Sequence, residues 1–326
     1  EPMWCAWGYE REATFAEILG TLPKVKELGI KWATVDDGYQ IAEGDWELDT
    51  KRFPGGDRDM VDLVKKMKAY GLKVQLWWAP LAADPGTKVL KENPDFITLS
   101  KQQTPHYITW WDSYYLSPVD SGVVSYSRDL VDRFMKKYDF DGLKLDGQHL
   151  NSVHPDYNWK HHPECPQYSY EQLPGFFKMI YDESRSINPH AVIQNCPCGC
   201  CMSFYNLPYT NQTVASDPTS SWQVRLKGYV YKALVPRTAY FGDHVELSDN
   251  GDDFASSFGI GAVLGGDEHS YLYLGEVGGG AFLAVIGTVS LIAELRIAVA
   301  ADGMTGSCID PCCPCGAKVG SRPWSL

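Results

Sequence analysis

Short apolar runs alternate with amphipathic helical stretches along most of this chain, and that alternation is what most constrains its fold. Residues 2–7 read as a first strand. Residues 15–28 carry apolar side chains at Phe15, Ile18, Leu19, Leu22, Val25 and Leu28, a helical period. Residues 31–35 form the second strand, 59–70 a helix, and 72–78 the third strand. Residues 123–138 give a helix and 142–146 the fourth strand; 176–187 and 191–195 repeat the step. Residues 212–215, 222–234 and 238–241 continue it, and 254–265 supply a last helix–strand unit. Repeated β–α units with apolar strands imply a parallel sheet covered by helices. Seven or eight units in about 260 residues favour a closed (β/α)8 TIM barrel over an open doubly wound sheet. Residues 1–266 are expected to form that α/β barrel, irregular or incomplete at its C-terminal end. Residues 267–326 form an atypical tail of no assigned role: 278–292 is apolar but too short and too soon charged for a membrane span.

Polar residues gather where the strands end: Asp36, Asp37, Trp78, Asp146, Asn195, Asp217, Asp243 and His244. A barrel enzyme places its chemistry on that face, although an open sheet also binds ligands there. A carboxylate just past a buried strand is costly unless chemistry or an ion partner uses it. Lys144 and Asp146 alternate with Leu143 and Leu145, so both point to one side of the strand. The ammonium is expected to lower the acid's pKa and keep it ionised, as a nucleophile requires; a structural ion pair at the rim is the plain alternative. Asp217 follows apolar Val214 and Ala215, and like charge with desolvation is expected to raise its pKa, suiting a proton donor. Its plain alternative is a cap on the helix that follows Pro218. Two such carboxylates are the equipment of glycoside cleavage.

Asp36 and Asp37 can each accept two sugar hydroxyls or can simply shape a turn with Gly38. Of Trp77 and Trp78, one is expected in the helical shell and the other in the pocket. The chain carries 11 Trp and 19 Tyr, and aromatic faces stack on the C–H faces of sugars, though large cores also use them. A net charge of −12 argues against a nucleic-acid footprint, which would be basic and clustered. Cys196, Cys198, Cys200 and Cys201 are too close together for tetrahedral zinc, so a pocket wall of small residues is preferred to a metal site. The second cluster, Cys308, Cys312, Cys313 and Cys315, is the better metal or oxidation candidate of the two, while Cys5 and Cys165 stand alone. Residues 147–172 carry His149, His154, His161, His162 and Cys165, conceivable metal ligands. With Tyr157, Trp159 and Tyr168 that stretch reads better as a substrate-covering lid, and Trp110-Trp111 as outer-subsite platforms. The sequon at Asn211 sits at a strand entrance and is not expected to be glycosylated. No charged leader with an apolar run is visible from Glu1, so no secretory signal is read and localisation stays open between cytoplasmic and secreted.

Several runs together resemble the melibiase-type α-galactosidases, glycoside hydrolase family 36. They are Trp32-Ala33-Thr34-Val35-Asp36-Asp37-Gly38-Tyr39-Gln40, residues 72–80, Asn93-Pro94-Asp95-Phe96, Asp139 to Asp146, Cys196-Pro197-Cys198-Gly199, and Ser216-Asp217-Pro218 with Arg225-Leu226-Lys227. The resemblance spans about residues 2–266. It implies a retaining glycosidase acting on terminal α-galactosyl groups of an oligosaccharide or glycoconjugate, without a cofactor or metal. By it, Asp146 is the nucleophile and Asp217 the general acid/base, with carboxyls roughly 5–5.5 Å apart. Asp36, Asp37 and Lys144 hold the O4 and O6 side, Trp78 stands in the pocket wall, and Asn195 and Cys196 belong to the binding set, Cys196 facing the C2 substituent. The sequence departs from the family at Ala79, where a carboxylate is usual, at Cys200-Cys201-Met202 in place of a glycine-rich continuation, and at Thr213-Val214, where an arginine is usual. Those departures leave open an α-N-acetylgalactosaminidase or a raffinose-synthase-like transglycosylase. A carbohydrate-binding protein without turnover is the reading from another class; retention of both Asp146 and Asp217 favours the enzyme.

Overall fold

The computed structural model describes residues 1–162, 164–218, 220–243, 262 and 265–266. Eight parallel strands follow one another around a curled sheet. They are β1 (Met3–Cys5), β2 (Trp32–Val35), β3 (Lys73–Trp78), β4 (Gly142–Asp146), β5 (Val192–Cys196), β6 (Gln212–Val214), β7 (Ala239–Phe241) and β8 (Gly265–Gly266). Each pairs with its neighbour in sequence from β1 to β7, and β8 returns to β1, with Met3 opposite Gly265. No ladder joins β7 to β8 among the described residues, so the seam of this (β/α)8 barrel lies there. The tail at 267–326, with its cysteine cluster, and His244 lie outside the described residues, as does most of the expected unit at 254–265.

The helices on the outside are α1 (Phe15–Glu27), α2 (Asp57–Ala69), α3 (Ser121–Asp132), α4 (Leu173–Ile187) and α5 (Ser221–Leu234). α1 starts on a capping box in which the Thr14 hydroxyl accepts from Glu17 N–H at 3.2 Å and Glu17 accepts from Thr14 N–H at 2.9 Å. Ile18, Leu22 and Val25, three of its predicted apolar positions, are buried. α3 is capped by Asp120, which accepts from Val123 N–H at 2.9 Å. One π-helical turn, Arg133–Lys137, prolongs it. Between β5 and β6 the connection is only the short 3-10 segment Phe204–Tyr209.

Strand register sorts side chains by parity. Lys144 lies opposite Trp77 and Gln194, whereas Leu145 lies opposite Trp78 and Asn195. Residues in register share a face, so Gln75, Trp77, Lys144, Gln194 and Cys196 point into the barrel and Trp78 and Asn195 point out of it. The interior contains a hydrogen-bonded amide layer, with Gln75 Nε2 donating to Thr34 Oγ1 at 3.0 Å and Gln194 Nε2 to Gln212 Oε1 at 2.6 Å. Both amide N–H groups find an oxygen there, which offsets part of the cost of burying them.

Two insertions rise from the strand C-termini. After β2 comes the antiparallel hairpin Gln40–Ala42 with Asp45–Leu48. After β3 comes a small sheet of Ala82–Ala83, Ser113–Tyr115 and Tyr107–Ile108. The histidine-bearing loop is clamped to this second insertion through buried Asp156. That carboxylate accepts from Leu99 N–H at 3.0 Å, Asn158 N–H at 3.0 Å, Ser117 Oγ at 2.8 Å and His161 Nδ1 at 2.5 Å. Both side chains of the His161–Asp156 pair are almost fully enclosed. His161 is held above its ordinary pKa: burial opposes its charge, but Asp156 outweighs that. Asp156 is held below its own ordinary value, chiefly because the His161 bond outweighs its burial.

Removing one partner leaves a buried charge unpaired, so Asp156→Ala is expected to cost about 3–5 kcal/mol of unfolding free energy in urea titration; a loss below about 1 kcal/mol would contradict the clamp. The contribution of His161 is fully present below its unfolded pKa of about 6.5 and falls as pH rises through its raised native value.

Candidate active site

A cavity of about 570 Å³ opens at the C-terminal ends of the strands, within the size range of small-molecule sites. Asp36, Asp37, Lys144, Asp146, Cys196 and Asp217 all line it. Residues from four segments between positions 36 and 217 are thus brought to one place by strand order.

At the floor, Lys144 Nζ donates to Asp36 Oδ2 at 2.7 Å, and both side chains are buried. The Cys5 thiol donates to the same oxygen at 3.0 Å, and Asp37 N–H to Asp36 Oδ1 at 2.9 Å. Burial acts to lower the Lys144 pKa, but Asp36 outweighs it and holds the ammonium well above its ordinary value. Asp37 accepts from Arg11 Nε at 2.8 Å and from Gln40 Nε2 at 2.7 Å. Arg11 reaches on to Glu43, Nη2 to Oε1, at 2.7 Å. Burial, reinforced by Asp37 and opposed by Arg11, pushes Glu43 up to about 8.

Asp146 ends β4, partly open to the cavity. Trp77 Nε1 donates to its Oδ2 at 2.8 Å and Gly147 N–H to its Oδ1 at 2.7 Å. Gly147 has φ +124°, and a Cβ there would stand 2.3 Å from the His149 ring, so this turn requires glycine. Lys144 does lower the Asp146 pKa, as the sequence suggests, but burial is larger and acts the other way. Asp217 adds like charge, and the carboxyl is pushed up to about 7 rather than kept low. Its protonation is therefore balanced near neutrality.

Asp217 occupies an exposed rim position rather than the apolar slot expected from Val214 and Ala215, whose side chains are buried. Its backbone N–H donates to Asp243 Oδ2 at 2.7 Å. Ser216 and Asp217 both have positive φ, 59° and 44°, a costly backbone that tends to occur where a side chain must be aimed. The cap reading fails on position, because Ser220 is the N-cap residue of α5.

Two expected pocket residues are elsewhere. Trp78 is fully buried in the helical shell, its ring edge-on to Phe134 at 5.6 Å; the pocket tryptophan of β3 is Trp77. Asn195 also points outward, with Nδ2 3.1 Å from Met202 Sδ. Cys196 does face the cavity, joined by Cys198, and burial holds both thiols above their ordinary pKa. Trp7, Arg11 and Gln223 line the cavity without having been singled out in the sequence. Trp110 and Trp111 stand at its edge, and Trp111 meets Trp77 edge-on at 5.8 Å.

The loop at 147–172 braces rather than covers. Tyr157, Trp159 and Tyr168 are not among the lining residues, and Trp159 carries Lys160 over its ring at 4.4 Å. Its histidines go separate ways. His149 lies buried between Trp111 and Phe177 and is lowered by burial to about 3, while His154 stacks on His106 at 4.3 Å. Among the described residues no three His, Cys, Asp or Glu side chains converge as a metal set. The Asn211 side chain accepts from Ile193 N–H at 3.0 Å. Among the described residues no helix is long and apolar enough to cross a membrane.

The family model described as Melibiase matches residues 3–256. The chain belongs to the Melibiase family. The A type blood α-D-galactosamine galactosaminidase of Flavonifractor plautii is 29% identical over 270 residues, 80% of this chain and 24% of that protein. Alpha-galactosidase 1 of Pediococcus pentosaceus is 25% identical over 202 residues, 58% of this chain and 26% of that protein. The chain thus spans about a quarter of the length of these curated relatives. Among solved structures, a glycoside hydrolase family 36 α-galactosidase from Geobacillus stearothermophilus aligns with a TM-score of 0.68 at 18% identity, covering 87% of this chain and 41% of that one. An α-galactosidase from Thermus thermophilus in complex with stachyose gives 0.65 at 18% identity, covering 91% and 64%. These structures share the barrel fold.

The carboxyl carbon of Asp146 in a 13C-labelled sample is expected to titrate with a midpoint near 7. Asp217→Asn removes like charge and should move that midpoint down; Trp77→Phe removes a donor to the carboxylate and should move it up. A midpoint that ignores Asp217→Asn would contradict the coupling.

Proposed function

We propose that this barrel hydrolyses terminal α-galactosides with retention of configuration, with Asp146 as nucleophile and Asp217 as general acid/base. The observation that carries this reading is the placement of two carboxylates in one cavity with unlike surroundings. Asp146 lies deep, each oxygen held by an N–H donor, beside an ammonium. Asp217 lies at the rim, where a leaving group departs and water enters.

In the first step an Asp146 oxygen attacks the anomeric carbon while Asp217 protonates the departing glycosidic oxygen, leaving a glycosyl–aspartate ester. In the second, Asp217 takes a proton from water, which attacks the same carbon and releases Asp146. Lys144, Asp36 and Asp37 supply donors and acceptors for ring hydroxyls, and Cys196 with Cys198 forms the wall next to C2. A pKa near 7 for Asp146 would, by itself, suit an acid. Its depth and its two N–H donors favour the nucleophile, because both donors are stronger toward a carboxylate than toward a carboxylic acid.

An α-galactosaminide is the second substrate reading, favoured by the Flavonifractor plautii relative, whose match covers 80% of this chain. Parallel assays with aryl α-galactoside, α-galactosaminide, α-N-acetylgalactosaminide and α-glucoside separate these, and sugar acceptors reveal transfer.

Asp146→Ala is expected to abolish turnover of activated aryl substrates, with azide restoring it as the opposite anomeric adduct; unchanged activity would sink the assignment. Asp217→Ala should lose far more on poor leaving groups than on activated ones, and equal loss would remove Asp217 as the acid. Because the nucleophile must be ionised, kcat/KM should fall as pH drops through about 7. Sugar binding without turnover in the unaltered protein would instead support the non-catalytic reading.

A further inference from the structure

Arg11 belongs to no motif that marks the site, yet its guanidinium stands in the cavity wall. It sits on the 3-10 segment Ala6–Glu12 that follows β1. Nε donates to Asp37 Oδ2 at 2.8 Å and Nη2 to Glu43 Oε1 at 2.7 Å; the arginine side chain is 43% exposed and the two carboxylates only 4% and 3%. Glu43 thus fixes one edge of the fork while Asp37 takes the other. The opposite oxygen of Asp37 is held by Gln40, so the carboxylate cannot rotate, and each oxygen keeps lone-pair capacity for a further donor.

The backbone enforces the same contact. Gly38, next to Asp37, has φ +112°, and a Cβ there would lie 2.5 Å from the Arg11 carbonyl oxygen. From another direction Arg52 Nη1 donates to Gly38 O at 2.6 Å. The turn that carries Asp36 and Asp37 is therefore pressed directly onto the Arg11 main chain. A planar, two-point donor suits this geometry, and a lysine cannot reproduce it.

We propose that Arg11 is a positioning residue that sets the orientation of Asp37 toward bound sugar, with Glu43 as the anchor of its guanidinium. The inference rests on the cavity being a sugar site that includes Asp37. It predicts that loss of Arg11 weakens binding more than it slows the chemistry at Asp146, because Asp37 acts on ring hydroxyls and not on the anomeric carbon.

The test uses the full chain with an aryl α-galactoside for turnover and galactose for calorimetry. Arg11→Ala is expected to raise KM and the galactose Kd about tenfold to a hundredfold, the range for a charge-assisted hydrogen bond, with kcat changed only a few-fold. Millimolar guanidinium should restore part of the affinity, since the vacated position is open to solvent. Arg11→Lys should recover less than half of the loss, and Glu43→Ala should raise KM in the same direction by a smaller factor. Wild-type KM in Arg11→Ala would overturn the proposal, as would a joint fall in kcat and melting temperature without guanidinium rescue. An unaltered protein that neither turns over nor binds these sugars would show instead that the sugar-site reading has failed, and that result is visible before any variant is made.

Discussion

The buried ammonium of Lys144 is the interaction on which the rest of the site depends. A parallel barrel delivers strand ends to one face, and here that face carries several carboxylates close together. Left alone they would repel or take up protons. Lys144 pairs with Asp36 at 2.7 Å across 108 residues of sequence, and Asp36 in turn accepts the Asp37 N–H and the Cys5 thiol. Asp37 then engages Arg11, and Arg11 engages Glu43. One cation at the floor thereby sets the geometry of β1, β2 and β4 relative to each other. A pair this deep gains its Coulomb energy at a large desolvation cost, so its value lies in fixing a unique arrangement as much as in stability.

Lys144 does not, however, dominate the titration of Asp146. Its charge is committed first to Asp36, and burial of Asp146 with like charge from Asp217 outweighs what remains. The two acids are linked by like charge, Asp217 adding to the rise of Asp146. Their surroundings differ, one deep and donor-bound, the other exposed on a strained turn. That asymmetry is the usual means by which two identical residue types take different parts in one reaction.

Much of this architecture was legible in the sequence because it rests on local periodicity. Ile18, Leu22 and Val25 announce a helix face, and Lys144 with Asp146 announces a strand face. The same parity, carried across to neighbouring strands, separates Trp77 from Trp78 and Cys196 from Asn195, but it needs the register, which no single strand contains. Arg11 left no local signal: its partners are 26 and 32 residues away and meet it only when the hairpin after β2 folds over the barrel mouth. The histidine-bearing loop misled for a related reason. Its composition suggests either ligands or a lid, whereas Asp156 binds His161 and three other donors and so braces the loop against the neighbouring insertion.

The measurement that bears most directly on this account is covalent trapping with a fluorinated α-galactosyl fluoride, whose slow second step lets the glycosyl–enzyme accumulate, followed by peptide mapping. The account predicts one sugar per chain on the peptide that contains Asp146, and none in Asp146→Asn. A label on Asp217, or on Cys196 or Cys198, would contradict it.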